Sequence, residues 1–165
     1  KMLRMKSTGD GCAAKYTTMS VKAISEYWSY VRLASANDAH LWLWVTNAFM
    51  SEGYEVVRAW GFQPKTIVTW IKGRLYNDRL VSHIGQGHYL RNSTEHVIFA
   101  VRGKCPALVK NLPTAFVYSG RWPGRLHSEK PPTIHEWAEK LSPGPRLELF
   151  ARRRREGWDA VGDEL

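Results

Sequence analysis

Residues 40–45, HLWLWV, form a short and nearly continuous apolar run. A run of this length without polar alternation is typical of a strand that is covered on both faces in a largely parallel sheet. Helical patterns lie on both sides of it. Ser20 can cap a helix that ends near residues 34–38, and residues 47–60 predict a second helix that Gly61 closes. A buried strand between helices favours an α/β sandwich.

The rest of the chain continues this alternation of helix and strand patterns. Residues 66–71 are rich in β-branched side chains and predict a strand, and residues 95–101 predict another. The further predicted elements are a short strand at 116–118, a helix at 132–140, a strand at 146–150 and the start of another at 158–161. We therefore predict a single α/β domain over residues 1–165, with a flexible segment at 1–15.

Composition and cysteine content argue against several classes of protein. The chain has 165 residues and no apolar run long enough to span a bilayer, and its basic start is followed by small and polar residues rather than by an apolar signal segment. We therefore expect a cytoplasmic protein with no membrane partner. Cys12 and Cys105 have no CxxC partner and no His/Cys cluster at metal-ligand spacing, which disfavours a structural zinc site and favours free thiols.

The formal net charge of +9 bears on partners, because surplus Lys and Arg raise the affinity for phosphate backbones. Many basic domains bind no nucleic acid, so charge alone leaves this partner open. Residues 72–94 concentrate basic side chains: Lys72, Arg74, Arg79, His83, His88 and Arg91. This stretch has no apolar period and predicts a long functional loop. Gly85 and Gly87 suggest a dinucleotide fingerprint, but no strand immediately precedes them and no helix follows.

The C-terminal fifth of the chain carries the most specific motifs. They are KP at 130–131, RLELFAR at 146–152 and GW at 157–158. Ligands of open α/β sheets bind at the carboxyl ends of strands, so a strand that ends at Phe150 places the following loop, residues 151–157, over a binding crevice. Acidic residues about one turn past the next strand are well placed to hydrogen-bond ribose hydroxyls, and Asp163 and Glu164 occupy that position.

A chain with these motifs at these distances resembles the MT-A70 family of S-adenosylmethionine-dependent enzymes, which methylate the N6 amine of adenine. The resemblance covers roughly residues 16–165. It implies a Rossmann-like class I methyltransferase sandwich with a permuted motif order. The family's catalytic tetrapeptide, Asp-Pro-Pro-Trp or a close variant, should lie just upstream of Lys1, and none occurs in the 165 residues. We therefore expect the first catalytic strand and its hydrogen-bond acceptor to be missing, and the chain to be inactive alone.

The resemblance implies S-adenosylmethionine as cofactor and assigns five residues to its binding. Lys130 would bind the methionine carboxylate, because an ammonium just before a helix adds its charge to the positive end of the helix dipole. Arg152 matches an arginine near the ribose, and Phe150 matches an adjacent wall residue. Asp163 and Glu164 match the two positions that contact the ribose. The alternative for the arginine run that begins at Arg152 is a solvated basic face.

The resemblance also assigns residues to the substrate. Tyr16, in the sequence YTTMS, would lie beside the target adenine, where an aromatic face suits a flipped base, although a buried packing tyrosine is the alternative. The segment that ends at Glu95 borders the adenine pocket in the family, and Arg91 and Asn92 are candidates for phosphate or base-edge contacts. Glu95 either anchors this segment or only caps a strand, and Lys72 would face the substrate.

The implied function is methyl transfer to adenine N6 in nucleic acid, with DNA favoured over RNA as the partner. The transfer is in line from a sulfonium to an amine, so it depends on positioning and requires no metal and no covalent intermediate. The alternative is a non-catalytic nucleic-acid-binding subunit of a methyltransferase complex. Both readings leave a homodimer or heterodimer open.

Overall fold

The computed structural model describes residues 18–85, 89–119, 129–162 and 165. In these residues the helices are α1 (Val21–Glu26), α2 (Trp28–Ala34), α3 (Met50–Ala59) and α4 (Thr133–Leu141), with a 3-10 turn at Asn47–Phe49. The strands are β1 (Ala39–Val45), β2 (Gln63–Tyr76), β3 (Arg79–Ser82), β4 (Thr94–Arg102), β5 (Ala115–Tyr118), β6 (Leu147–Leu149) and β7 (Asp159–Val161). Residues 1–15, which are predicted to be flexible, lie outside the described part of the chain.

The main sheet mixes parallel and antiparallel strands. Its order is β1-β4-β2-β3, and β5 also pairs with β2. β4 runs antiparallel to both β1 and β2, so those two strands are parallel to each other, and β5 is parallel to β2. The prediction of a largely parallel sheet is therefore wrong for β4, because after β3 the chain returns to β2 and runs antiparallel to it. β6 and β7 form a separate parallel pair.

Much of the predicted loop at 72–94 is a β-hairpin. β2 continues to Tyr76, and β3 returns antiparallel to it with Arg79 opposite Tyr76. Asn77 and Asp78 form the turn, and both have positive φ, at 47° and 58°, as a two-residue type I′ turn requires. The prediction of an irregular loop is wrong here because an exposed strand can carry charged residues without losing its alternation.

Helices cover the main sheet on both faces. On one face, Val57 of α3 belongs to a buried cluster with Ile98 of β4. On the other face, Ile134 of α4 packs with Val97 of β4 and Val68 of β2. Ile98 and Val97 are neighbours in one strand and therefore point to opposite faces. This layering confirms the predicted α/β sandwich.

The helix predictions hold with one interruption. The Ser20 side chain accepts a hydrogen bond from the backbone nitrogen of Ala23 at 3.1 Å, so Ser20 caps α1 as predicted. The helix that was expected to follow is divided at Tyr27 into α1 and α2. The second predicted helix is a 3-10 turn followed by α3, and Gly61, with a φ of 79°, lies just after its end.

Candidate functional site

Three charged side chains meet where β2 ends its pairing with β4. The Lys72 ammonium lies 2.6 Å from one carboxylate oxygen of Glu95, and the Lys130 ammonium donates to the other. Their side chains are 20%, 13% and 27% exposed for Lys72, Glu95 and Lys130, so water reaches them only in part. We call these three residues the charged cluster. It joins two residues predicted for the substrate, Lys72 and Glu95, to one predicted for the cofactor, Lys130.

The charged cluster has more positive than negative charge. Burial of Glu95 acts to raise the pKa of its carboxyl, but the ammonium groups of Lys130 and Lys72 together outweigh that effect and hold the pKa below its usual range. Glu95 is therefore ionised at neutral pH. One carboxylate faces two ammonium groups, which leaves one positive charge available to an anionic ligand.

Two indole rings wall the charged cluster. The Lys130 ammonium lies 5.7 Å from the centre of the Trp44 ring, and the Lys72 ammonium lies 5.1 Å from that of Trp70. The two rings meet edge to face at 6.0 Å. The Trp70 ring nitrogen donates to the carbonyl of Tyr118 at 3.0 Å, which fixes that ring in the core. The indole walls favour cations and exclude water from one side of the cluster.

The segment that leads into β4 is tied to the 3-10 turn after β1 and to β2. The Asn47 side-chain nitrogen donates to the Thr94 hydroxyl at 3.2 Å, and the backbone nitrogen of Lys72 donates to the Ser93 carbonyl at 2.8 Å. Arg91 and Asn92 are exposed on this segment, a few residues before the charged cluster. Both residues therefore lie at the same end of the sheet as the charged cluster.

A second ion pair connects the segment around Lys130 to the loop that follows β6. The Arg153 guanidinium lies 3.2 Å from the Glu129 carboxylate, so the 151–157 loop and Lys130 are neighbours. Phe150 directly follows β6 and is half-exposed. Arg152 is half-buried in the same loop. Phe150 and Arg152 thus follow the carboxyl end of β6, and the ion pair links their loop to the residue before Lys130.

A profile of the MT-A70 family matches residues 2–164. The chain belongs to the MT-A70 family. It is 30% identical over 132 residues to the human N(6)-adenosine-methyltransferase catalytic subunit METTL3 and 32% identical over 128 residues to a putative N(6)-adenosine-methyltransferase MT-A70-like protein of Medicago truncatula. It is also 30% identical over 156 residues to the type II methyltransferase M.MunI of Mycoplasma.

Each alignment covers a larger share of this chain than of the relative. They include 78%, 76% and 92% of this chain for the human, Medicago and Mycoplasma relatives. The chain spans 22% and 20% of the length of the human and Medicago proteins and 60% of the Mycoplasma protein. The family membership confirms the predicted resemblance and the Rossmann-like methyltransferase fold. Methyltransferases of the MT-A70 family use S-adenosylmethionine as methyl donor.

Some of the residues assigned by resemblance to the MT-A70 family lie outside the described part of the chain. These are Tyr16, Asp163 and Glu164. Lys130 lies three residues before α4, close to the predicted position, but its observed partner is Glu95. The roles of all ten assigned residues stay predictions. In the described residues, no group of His, Cys, Asp and Glu is arranged to hold a metal ion, and no helix is long and apolar enough to cross a membrane.

Sequence reasoning missed two contacts of the site. The apolar run at 40–45 predicts only a buried strand, yet the ring of Trp44 lies beside Lys130. The Glu129–Arg153 ion pair was not expected at all, because the two residues are far apart in sequence. For Trp44 a signal was available: it is the last tryptophan before the carboxyl end of β1, where ligands of such sheets bind.

Proposed function

We propose that this chain is a methyltransferase domain that transfers a methyl group from S-adenosylmethionine to the N6 amine of adenine in nucleic acid. The observation that carries the proposal is the charged cluster with its unbalanced positive charge, next to the loop that follows β6. Family membership supports the reaction, and the cluster supports its location. The bound cofactor would supply an electrophilic methyl group on a sulfonium.

On the cofactor side, the Lys130 ammonium, which now contacts Glu95 alone among the carboxylates of the described residues, would also contact the methionine carboxylate. A second carboxylate next to Lys72, Glu95 and Lys130 balances the two ammonium groups. Phe150 would wall the nucleoside, and Arg152, Asp163 and Glu164 would hydrogen-bond near the ribose. These roles follow from family resemblance, and the positions of Phe150 and Arg152 after the end of β6 support them.

On the substrate side, the β2–β3 hairpin offers a basic face. Because opposed residues of a hairpin share a face, Arg74 and Tyr76 of β2 lie on the same side as Arg79 of β3. The Arg74 guanidinium is 6.0 Å from the Tyr76 ring centre. We assign this face to the phosphate backbone. Arg74→Ala with Arg79→Ala should reduce the salt dependence of DNA binding by about two units of slope in a gel-shift titration.

The opposite face of the same hairpin favours a second candidate function, that of a subunit in a dimeric methyltransferase complex. Leu75 and Leu80 lie opposite each other there and are 66% and 48% exposed. An apolar pair on a projecting ribbon is suited to contact with another protein. The two candidates differ in activity: a supporting subunit would bind nucleic acid and transfer no methyl group.

DNA is the preferred substrate in this proposal. The eukaryotic relatives are named for N6-adenosine, whereas the Mycoplasma relative is named a type II methyltransferase and aligns with a larger share of this chain. The test is transfer of labelled methyl groups to duplex DNA, single-stranded DNA and RNA, followed by identification of the methylated nucleoside. N6-methyladenine in RNA alone would overturn the preference for DNA, and binding without transfer would favour the subunit.

The cofactor half of the proposal is tested by calorimetry with S-adenosylhomocysteine. Lys130→Ala should weaken binding by about 1.5 to 3 kcal/mol, because it removes a charged hydrogen-bond donor to a carboxylate. Lys104→Ala is the matched control. Lys104 is exposed and follows the far end of β4, roughly 30 Å from Glu95, so its loss should leave the affinity unchanged. Equal affinities in the two variants would contradict the assignment of Lys130.

A further inference from the structure

The turn after β6 has a backbone conformation that aromatic residues rarely adopt. Phe150 has a φ of 61°, in the left-handed region that favours glycine. The residue is 46% exposed, so burial does not by itself explain the conformation. A strained residue keeps such a geometry only when its surroundings determine it, and strain of this kind is concentrated at ligand sites.

The first constraint on this turn comes from Gly162, just after β7. A Cβ on Gly162 would overlap the carbonyl oxygen of Ala151 and would lie 2.7 Å from its nitrogen. Ala151 is 1% exposed, and its nitrogen donates to the Val161 carbonyl at 3.0 Å. The peptide that follows Phe150 therefore lies directly against the Gly162 backbone. Only a residue without a side chain permits this approach.

The second constraint comes from Tyr27, which lies between α1 and α2. Its ring is 5.6 Å from the ring of Phe150 and tilted by 53°. Tyr27 is itself fixed, because its backbone nitrogen donates to the Ile24 carbonyl at 3.1 Å and its side chain packs against the core. One side of the Phe150 ring is thus supported by a fixed aromatic neighbour, while nearly half of the residue remains accessible.

We propose that Gly162 and Tyr27 are positioning residues of the cofactor pocket. Gly162 allows the peptide of Ala151 to sit against the end of β7, and Tyr27 holds the Phe150 ring as a flat apolar wall for the nucleoside part of the ligand. This inference rests on the proposed function of the 151–157 loop. Neither residue contacts the reacting atoms, so both act through the geometry of Phe150 and of the residues that follow it.

The experiment measures S-adenosylhomocysteine affinity by calorimetry for the full chain and four variants. Gly162→Ala should raise the Kd by about tenfold or more, since a displaced loop misplaces several contacts at once. Tyr27→Leu should raise it by about threefold to tenfold through loss of the ring contact, and Tyr27→Phe, which keeps the ring, should restore binding to near the original value. Gly144→Ala is the matched control, because its Cβ would meet only Arg146 at 3.5 Å.

Two further measurements separate positioning from general damage. Each variant is titrated with an adenine-containing DNA duplex, whose affinity should not change, and is melted without ligand. If Gly162→Ala and Tyr27→Leu bind S-adenosylhomocysteine as tightly as the unsubstituted chain, the positioning role is overturned while the proposed function stands. Parallel losses of DNA affinity and of folded protein would overturn it in favour of a structural role. An unsubstituted chain that binds no S-adenosylhomocysteine would overturn this inference and the proposed function together.

Discussion

The charged cluster and a second polar group, formed by His40, Trp42 and Ser142, both contact side chains of β1, but only the first contains charged residues. Trp44 borders the charged cluster, and Trp42, two residues earlier in β1, belongs to the second group. Alternate residues of a strand share a face, so both groups lie on the side covered by α4. We call the second group the neutral network.

The neutral network satisfies its own hydrogen bonds. The His40 Nε2 lies 3.2 Å from the Cys105 carbonyl, which can only accept, so this nitrogen must carry the proton. The other ring nitrogen then accepts from the Ser142 hydroxyl at 3.0 Å, and that hydroxyl accepts from the Trp42 ring nitrogen at 3.1 Å. No charge is involved, and each donor has an acceptor.

The comparison shows how a half-buried polar group can be recognised as a ligand site rather than as packing. The neutral network is complete without a ligand, so we interpret it as a structural link between β1 and the end of α4. The charged cluster holds two ammonium groups against one carboxylate and so has capacity for another anion. If this distinction is right, changes in the cluster should affect stability and ligand binding together, and changes in the network should affect stability alone.

The largest expected effect is that of Glu95→Gln. The substitution keeps the shape of the side chain but leaves the ammonium groups of Lys72 and Lys130 half-buried without a counter-charge. We expect a loss of about 3 kcal/mol in the free energy of unfolding, the lower end for breaking a buried ion pair. Denaturant titration measures it. The control is Glu26→Gln, which removes an exposed ion pair at 4.0 Å and should change stability little.

The same variant has a distinct pH dependence. The pKa of Glu95 is lowered in the folded chain from 4.5, so its stabilisation is present above about pH 4.5 and is lost as the pH falls through the lowered pKa. The stability of the unsubstituted chain should therefore decline more steeply in that acidic range than that of Glu95→Gln. Identical slopes for the two proteins would show that the cluster does not stabilise the ionised carboxylate.

An intermediate effect is expected from Ser142→Ala in the neutral network. Ser142 is buried, and without its hydroxyl the Trp42 ring nitrogen loses its acceptor and the His40 ring loses its donor. We expect a loss of about 2 kcal/mol in the free energy of unfolding. The affinity for S-adenosylhomocysteine should not change, and a weakened affinity would mean that the two groups are not independent. Ser51→Ala, at an exposed site, is the control.

The sequence predicted the individual elements better than their directions. The apolar run at 40–45 predicted β1 because a buried strand has a strong local signal. The antiparallel direction of β4 has no local signal, since a strand has the same residue pattern whether its neighbour is parallel or antiparallel. The hairpin was not predicted because Arg74 and Arg79 make the segment resemble a basic loop. Asn77-Asp78 is nevertheless a pair that tolerates positive φ and marks such a turn.

The same limit applies to the candidate site. Lys130 and Glu95 were each assigned by family resemblance, but their contact spans 35 residues of sequence and depends on how α4 is placed against the sheet. The position of Tyr27 between two helices was not predicted, for a different reason. Helical spacing of apolar residues continues across it, so the interruption between α1 and α2 leaves no trace in the pattern. Sequence periodicity therefore cannot predict contacts that depend on packing between distant elements.

The smallest expected effect is the pH dependence that His40 contributes. Burial lowers the pKa of His40 from 6.5, and the hydrogen bond to Cys105 offsets only part of that effect. The unfolded chain therefore takes up a proton at a pH where the folded chain still excludes it. This contribution to stability is complete above about pH 6.5 and is lost as the pH falls through the lowered pKa, with a slope of at most about 1.4 kcal/mol per pH unit.

His40→Gln removes this titration, so its unfolding free energy should vary less between pH 7 and pH 5 than that of the unsubstituted chain. His96, whose pKa is also lowered by burial, is kept in both proteins, and the difference between their slopes therefore isolates His40. Cofactor affinity should show no such difference, because the neutral network is closed and the Glu95 carboxylate, whose pKa is lowered, stays ionised across this range. A difference in affinity that follows the titration of His40 would mean that protonation is transmitted from the network to the charged cluster, and the distinction between the two groups would then fail.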